Sequence, residues 1–271
     1  MAEGTWRAID RQRKRFIRKY NRVMRLAYIE YGKPVAKHLK EFGPVGIETT
    51  IETLQTTPLQ KAIQGMYVEV GVHFAVMSLA NFKSSDSITQ NKGLMRDKWT
   101  ERMVEYFNSD AKEIIRSIYT TASNDLLRAV ANIMAEMAEM GLGVIWTNPS
   151  ATSMIEALFR DEWGKAAKWM AKRVAQTEMI RASNFATKMG VDDLGIDYHK
   201  AWLVASDGRE RDSHRQAAED NKNVPKGELF VVSGYFAEYP GDPNLPPEES
   251  INCRCSVTMF PADKFDILGD Y

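Results

Sequence analysis

Two cysteines, Cys253 and Cys255, stand one residue apart near the end of the chain, and His214 precedes them. A thiolate activated by an imidazole is the pairing that nucleophilic catalysis uses, provided a third group orients the base. The residue types for such chemistry are present, but no oxyanion element accompanies them, so catalysis is not the expected role. Thr177 and Glu178 fall in the middle of an apolar periodic stretch. Glu178 could be a catalytic or metal-binding carboxylate. The plainer expectation is that it reaches across to pair with Arg209 or Arg211 and ties the end of the chain to the preceding helix. Asp207-Gly208 offers a ligand oxygen but reads first as a tight turn, since glycine accepts positive φ. If residues 253–255 are extended, Arg254 points away from both cysteines, because side chains alternate along a strand. His38 and His73 lie in helical stretches and read as ordinary surface or core histidines. The chain contains no phosphate-binding glycine loop of the familiar kind.

Helices must position most of these groups. Residues 5–41 carry Trp6, Ile9, Phe16, Tyr20, Val23, Ala27 and Tyr31 near helical spacing, with basic residues between them. Lys33-Pro34 is expected to kink or end that helix, because proline disfavours helical geometry in the residue before it. Gly43-Pro44 and Gly46 mark a loop. Thr57-Pro58 then opens a helix running to about residue 82. Residues 83–92 are polar and read as a loop. A short helix follows over 94–107, and Asp110 is placed to cap a long one ending near 141–143. The last helix begins at Asn148-Pro149, carries the Thr177, Glu178 and Asn184 positions, and is expected to stop at Gly190. The fourteen methionines read mainly as core filler rather than as a contact surface. No internal repeat is visible.

The pattern changes after about residue 191. Short apolar runs at 198–205, 229–232 and 255–260 read as strands, and 211–220 as one short helix. The expected fold class is α+β: a mostly helical body over 1–190 and a small α+β module over 191–271.

Lys and Arg together equal Asp and Glu together, at 36 each. Zero net charge excludes a protein held to nucleic acid by bulk charge alone. The charge is nevertheless uneven. Residues 1–40 hold twelve basic and three acidic side chains, and residues 201–271 hold seven basic and thirteen acidic. Arg11, Arg15, Arg18 and Arg22 step by three or four and share one helical face, with Lys14 and Arg25 close by. Such a stripe can follow a phosphate backbone or dock on an acidic protein surface. Trp6, Phe16 and Tyr20 on the opposite side favour docking against protein. No run is long and apolar enough for a membrane span, and no apolar signal core follows the first residues. Two cysteines form no disulfide framework, which points to a reducing compartment.

Four features follow one another in fixed order. They are Thr177-Glu178 with Ala182 and Asn184; Asp207-Gly208-Arg209-Glu210-Arg211-Asp212-Ser213-His214; Tyr239-Pro240-Gly241-Asp242-Pro243; and Asn252-Cys253-Arg254-Cys255. This ordered set, over about residues 170–262, resembles the phage Mu F-like family of minor head, or head morphogenesis, proteins. The resemblance implies a non-enzymatic structural protein of a tailed bacteriophage head, made in the host bacterial cytoplasm and residing in the virion. It implies binding to the portal protein or the inner face of the major capsid protein. Packaged double-stranded DNA is then a natural partner for the basic helix, and no membrane is expected. The runner-up is a virion-delivered enzyme or toxin-like module using the His214 and cysteine cluster.

The chain departs from the family where relatives place C-x-x-C at Arg211–His214 and H-P-x-C-R-C at Ser250–Cys255. Those versions supply enough donors for a closed zinc site. Here His214, Cys253 and Cys255 remain as strong ligands, with Asp212 or His199 as candidate fourths. A site of three ligands is open or vacant. The expectation is therefore no cofactor, with zinc as the one candidate. The alternative to metal is that Arg211 and His214 fix the same loops through hydrogen bonds and ion pairs.

Overall fold

The computed structural model describes residues 2–82, 92–140, 149–205 and 208–262. It is mostly helical, with a smaller C-terminal region of strands and short helices, an α+β arrangement. Helix α1 spans Ala2–Phe42, α2 Ile47–Glu52 and α3 Thr57–Ser78, the last continued by a 3-10 turn at Leu79–Phe82. Helix α4 spans Lys92–Asn108, α5 Lys112–Glu139 and α6 Pro149–Asp192. The loop expected at 83–92 and the helix end expected near 141–143 fall almost entirely outside the described residues. Helix α5 starts two residues beyond Asp110, after a turn in which Lys112 N–H donates to the Ser109 carbonyl.

Helix α1 buries Ile9, Phe16, Tyr20, Met24, Ala27, Tyr31, Val35 and Leu39, an apolar stripe at helical spacing interrupted by buried Arg13. Of the two outcomes expected at Pro34, a kink or an end, the helix does not end there. Proline removes one hydrogen bond and crowds the preceding turn, at about 3 kcal/mol. Tyr31 and Val35 are fully buried on either side, while Pro34 and Glu30 face solvent. The carbonyl that loses its donor is thus on the wet side, and burial of the stripe outweighs the loss.

Helix α6 likewise runs through Gly190 to Asp192, and the turn that follows reaches Gly195, where φ is +65°. Gly190 has another task. A Cβ there would lie 2.8 Å from the Ala75 carbonyl oxygen and 2.9 Å from Ser78 Oγ. The glycine lets α3 and α6 approach closely, a steric requirement that looks identical in sequence to a helix stop.

Strand β1 (Tyr198–Leu203) is the centre of an antiparallel sheet, flanked by β2 (Val224–Pro225) and β5 (Ser256–Pro261). Its pairing with β5 runs from Tyr198↔Pro261 to Leu203↔Ser256. Helix α7 (Asp212–Asp220) follows β1. Strands β3 (Phe230–Val232) and β4 (Tyr235–Ala237) form a hairpin whose two turn residues, Ser233 and Gly234, have φ of 53° and 82°. Two positive φ values in a two-residue loop match the twist of the strands they join. A single helical turn, α8 (Pro247–Ser250), precedes β5.

Two compact units divide the chain. The first comprises Met1–Lys19, Gln64–Lys112 and Ala175–Tyr271, and the second Tyr20–Ile63 and Glu113–Val174. This differs from a cut at residue 190. The apolar core under the strands gathers Tyr198, Trp202, Phe230, Tyr239, Val257 and Met259, but also Phe82, Ile180 and Val191 from the helices. The C-terminal strands share one core with those helices, so composition marks where the strands begin, not where packing ends. Among the described residues no helix is long and apolar enough to cross a membrane.

Candidate functional site

The site lies in the first unit, where α6 passes under the segment leading into β5. Thr177, Glu178, Arg181, Ser183 and Asn184 are all buried. A helix that is buried all round must satisfy its polar side chains internally. Asn184 does so completely. Its amide nitrogen donates to the Pro240 carbonyl at 2.8 Å and the Cys255 carbonyl at 3.1 Å. Its oxygen accepts from Val257 N–H at 3.1 Å and from Arg13 at 2.6 Å. Two donors and two acceptor positions are the full capacity of an amide side chain. Two turns earlier, Thr177 Oγ1 accepts the Asn252 N–H at 3.1 Å. Asn252 itself is exposed and has φ of 56°, a left-handed conformation that asparagine tolerates better than most residues. Its contribution is therefore to the backbone, turning the chain into Cys253.

Glu178 does not reach Arg209 or Arg211. Its carboxylate takes hydrogen bonds from Arg181 and from the Tyr67 hydroxyl, and Arg181 Nε donates to the Gly241 carbonyl at 2.8 Å. The i,i+3 spacing puts Arg181 beside Glu178 on the same helix, and both are shielded from water. Burial acts to lower the Arg181 pKa, but the Glu178 charge overrides it and holds the guanidinium charged. Burial and Glu178 together push the Tyr67 hydroxyl well above its ordinary value. Arg211 instead donates to the Ile251 carbonyl at 2.6 Å, fixing the loop before the cysteines. Arg209 is exposed, Asp207 lies outside the described residues, and Arg254 is half-buried between two buried cysteines in the segment before β5.

His214, on the first turn of α7, is buried with its ring edge-on to Trp202. Nδ1 lies 3.2 Å from Cys255 Sγ and 3.7 Å from Cys253 Sγ. Nε2 lies 2.9 Å from Glu249 Oε2, an ion-pair contact without hydrogen-bond alignment. Glu249 is held in turn by the Ser213 and Ser233 hydroxyls, each at 2.9 Å. Cys255 donates to Cys253, which with His214 pulls the Cys253 thiol pKa well down against the effect of burial. The same contact, with burial, pushes Cys255 well up. Burial acts to lower His214, but the Cys253 charge and Glu249 raise it above its ordinary value. Without metal, these directions favour the charged forms of Cys253 and His214 and the neutral form of Cys255.

The same three donor atoms lie within 4.8 Å of one another and could hold a metal ion. With Zn–S near 2.3 Å and Zn–N near 2.0 Å, a tetrahedron has an S···N edge of about 3.5 Å. The observed 3.2 and 3.7 Å bracket that value. Glu249 on the far nitrogen is the outer-shell carboxylate that ligating histidines commonly have. Neither candidate fourth ligand is present: Asp212 is 92% exposed and pairs with Arg215, and His199 Nδ1 contacts Asn223. A cavity of about 20 Å³ adjoins the cluster, lined by Arg209, Arg211, His214, Asn252, Cys253 and Cys255 among others. That volume is about right for one water.

Along α1, Arg11, Lys14, Arg15, Arg18, Arg22 and Arg25 are all exposed, as expected. Phe16 and Tyr20 are not available to an outside partner. Both are buried, and Phe16 packs against His73 and Phe74. His73 is half-buried there, and burial with the Arg15 charge lowers its pKa. His38 bonds the Val45 carbonyl and Thr50. Three important residues escaped the sequence reading. Arg13 was legible, since it occupies the apolar stripe between Ile9 and Phe16. Arg181 was legible from its spacing to Glu178. Glu249 carried no signal.

The chain matches no protein-family model, no curated protein and no solved structure.

Proposed function

We propose that this chain is a minor head protein of a tailed bacteriophage, acting by binding rather than catalysis. The reading rests on the ordered motifs that resemble the Mu F-like family. One observation carries it beyond sequence: residues from all four motif segments interlock at a single buried place. Thr177 holds Asn252, Asn184 holds Pro240 and Cys255, and Arg211 holds Ile251 beside the His214 cluster. Their side chains are spent on clamping backbone. Cys253 and Cys255, 1% and 3% exposed, offer a substrate little approach. That favours a structural role over a cysteine nucleophile.

In this reading His214 Nδ1, Cys253 and Cys255 would hold a zinc ion through three protein ligands, leaving an open fourth position for a water in the adjoining cavity. Zinc there fastens the β5 entry to α7. The outward basic residues Arg11, Lys14, Arg15 and Arg18, continued by Arg22 and Arg25, contact packaged DNA or an acidic face of the portal or inner capsid. Assembly takes place in the host cytoplasm, and the protein stays in the virion.

Virion mass spectrometry with copy counting, before and after DNA ejection, tests this. A few to about a dozen copies retained with the portal is the expected result. Absence from mature particles overturns the structural assignment and returns attention to an enzyme or a transient assembly factor.

A further inference from the structure

Arg13 is the anomaly on the N-terminal helix. Its neighbours Arg11, Lys14 and Arg15 face water, whereas Arg13 is 3% exposed. Its guanidinium makes four hydrogen bonds, all to neutral acceptors. Nε donates to Ser183 Oγ at 2.8 Å, Nη2 to Asn184 Oδ1 at 2.6 Å, and Nη1 to the Cys255 carbonyl at 3.1 Å and to Ser256 Oγ. The Asp10 carboxylate, three residues back, pairs with Lys14 at 2.5 Å. The Phe74 ring lies 5.7 Å from the guanidinium carbon. A buried cation without a bonded carboxylate is costly to place. What it touches explains the placement: the carbonyl of a cysteine in the cluster, and the two α6 side chains beneath that segment.

We propose that Arg13 is a positioning residue of the metal site, so that metal uptake at His214, Cys253 and Cys255 is thermodynamically linked to seating of the N-terminal helix. This rests on the reading of that cluster as a metal site. The Cys255 carbonyl accepts from Arg13 and from Asn184 together, which uses both of its lone pairs. The backbone carrying the Cys255 sulfur is thereby pinned from two sides, and Ser256 is pinned at the first position of β5. Without Arg13 a buried carbonyl loses a charged donor, and the sulfur loses half of its backbone support. The reverse also holds. If residues 253–256 relax when no metal is bound, the Arg13 fork loses its acceptors and α1 loses its anchor in this unit. Linkage of this kind is reciprocal for equilibrium affinities.

The test uses the purified full chain, zinc, and a competing chromophoric chelator. Outer-shell partners of metal ligands typically contribute tenfold to a hundredfold in affinity. Arg13→Gln is expected to weaken zinc binding at least about tenfold. It should also shift the thiolate charge-transfer bands of the cobalt(II)-substituted protein, which a merely structural residue remote from the ligands would leave in place. Because this variant could fail to fold, the reverse arm uses the unaltered chain. Saturating zinc should slow tryptic cleavage after Arg11, Lys14 and Arg15. Zinc binding within twofold of the parent in a folded Arg13→Gln protein, or cleavage indifferent to zinc, overturns the linkage while leaving the metal site standing. A parent chain that takes up no zinc overturns both.

Discussion

The two units of this chain solve the burial problem with different chemistry. Of the buried polar and charged side chains among the described residues, all but Asp125 belong to the first unit. There, Arg13, Glu178, Arg181, Asn184, Lys200 and His214 are enclosed and bonded. The second unit packs Met24, Tyr28, Val35, Leu39, Leu126, Ile133, Phe159 and Trp163 instead. Its main specific polar contact in the core is Trp163 Nε1 donating to the Tyr28 carbonyl at 2.9 Å. Apolar packing is forgiving of which residue touches which, provided volume is kept. A buried polar network is not, because each broken member leaves a partner unsatisfied in a poor solvent. The first unit should therefore be sensitive to loss of a charge or donor, and the second to loss of space.

The largest effect is expected at Glu178. Glu178→Gln removes the charge facing Arg181 and leaves an enclosed guanidinium without its counter-ion, a loss on the order of 3–5 kcal/mol. Urea unfolding measures it. A loss under about 1 kcal/mol would mean that the network does not hold the first unit together.

Metal addition sharpens the same side of the comparison. If the cluster takes zinc, free metal at 100 times its Kd raises the unfolding free energy by about 2.7 kcal/mol. Cys253→Ser should abolish that gain, as read by unfolding with and without a chelator.

In the second unit the sensitive atom is a missing one. A Cβ on Gly32 would lie 2.3 Å from Trp163 Nε1, so Gly32→Ala should destabilise by about 1–3 kcal/mol through overpacking. Gly164, within α6, has no such neighbour within 4 Å. Gly164→Ala should stabilise by roughly 0.5–1 kcal/mol through helix propensity. Equal effects at the two glycines would refute the assignment to packing.

A pH dependence is expected at Lys200 of β1, which is 1% exposed, donates to the Glu238 carbonyl at 3.2 Å and lies over the Phe230 ring. Burial lowers its pKa to about 8, with the Lys188 charge adding to the shift and Glu238, Asp192 and Asp242 opposing it. In the unfolded chain a lysine titrates near 10.4. Between those values the unfolded state binds the proton more, so stability rises with pH from about 8 to 10 on this account. Below pH 8 the buried charge is a constant cost. Lys200→Met should remove the rise and be the more stable protein at pH 7. A pH-independent difference between parent and variant would contradict it.

Much of this molecule was readable before any coordinates. The apolar stripe of α1, the helices over 57–78, 112–139 and 149–192, and the strands at 198–203 and 256–261 all follow from periodicity. Periodicity reports which faces are buried, and burial dominates the energetics of helices and strands. The His214, Cys253 and Cys255 cluster was also legible, because the chain has only two cysteines and four histidines, and this histidine belongs to the same ordered set of motifs. Pro34 and Gly190 misled for one reason. Both are punctuation in an isolated chain, and both are overridden when long-range contacts decide: buried Tyr31 and Val35 around one, close approach of Ala75 at the other. The Glu178 partner, the Glu249 support of His214 and the inward turn of Arg13 were likewise decided in three dimensions. Charge and spacing along the chain say what a side chain is able to bond. Which of several equivalent partners it meets is set by how distant segments pack, and that information exists only in the folded structure.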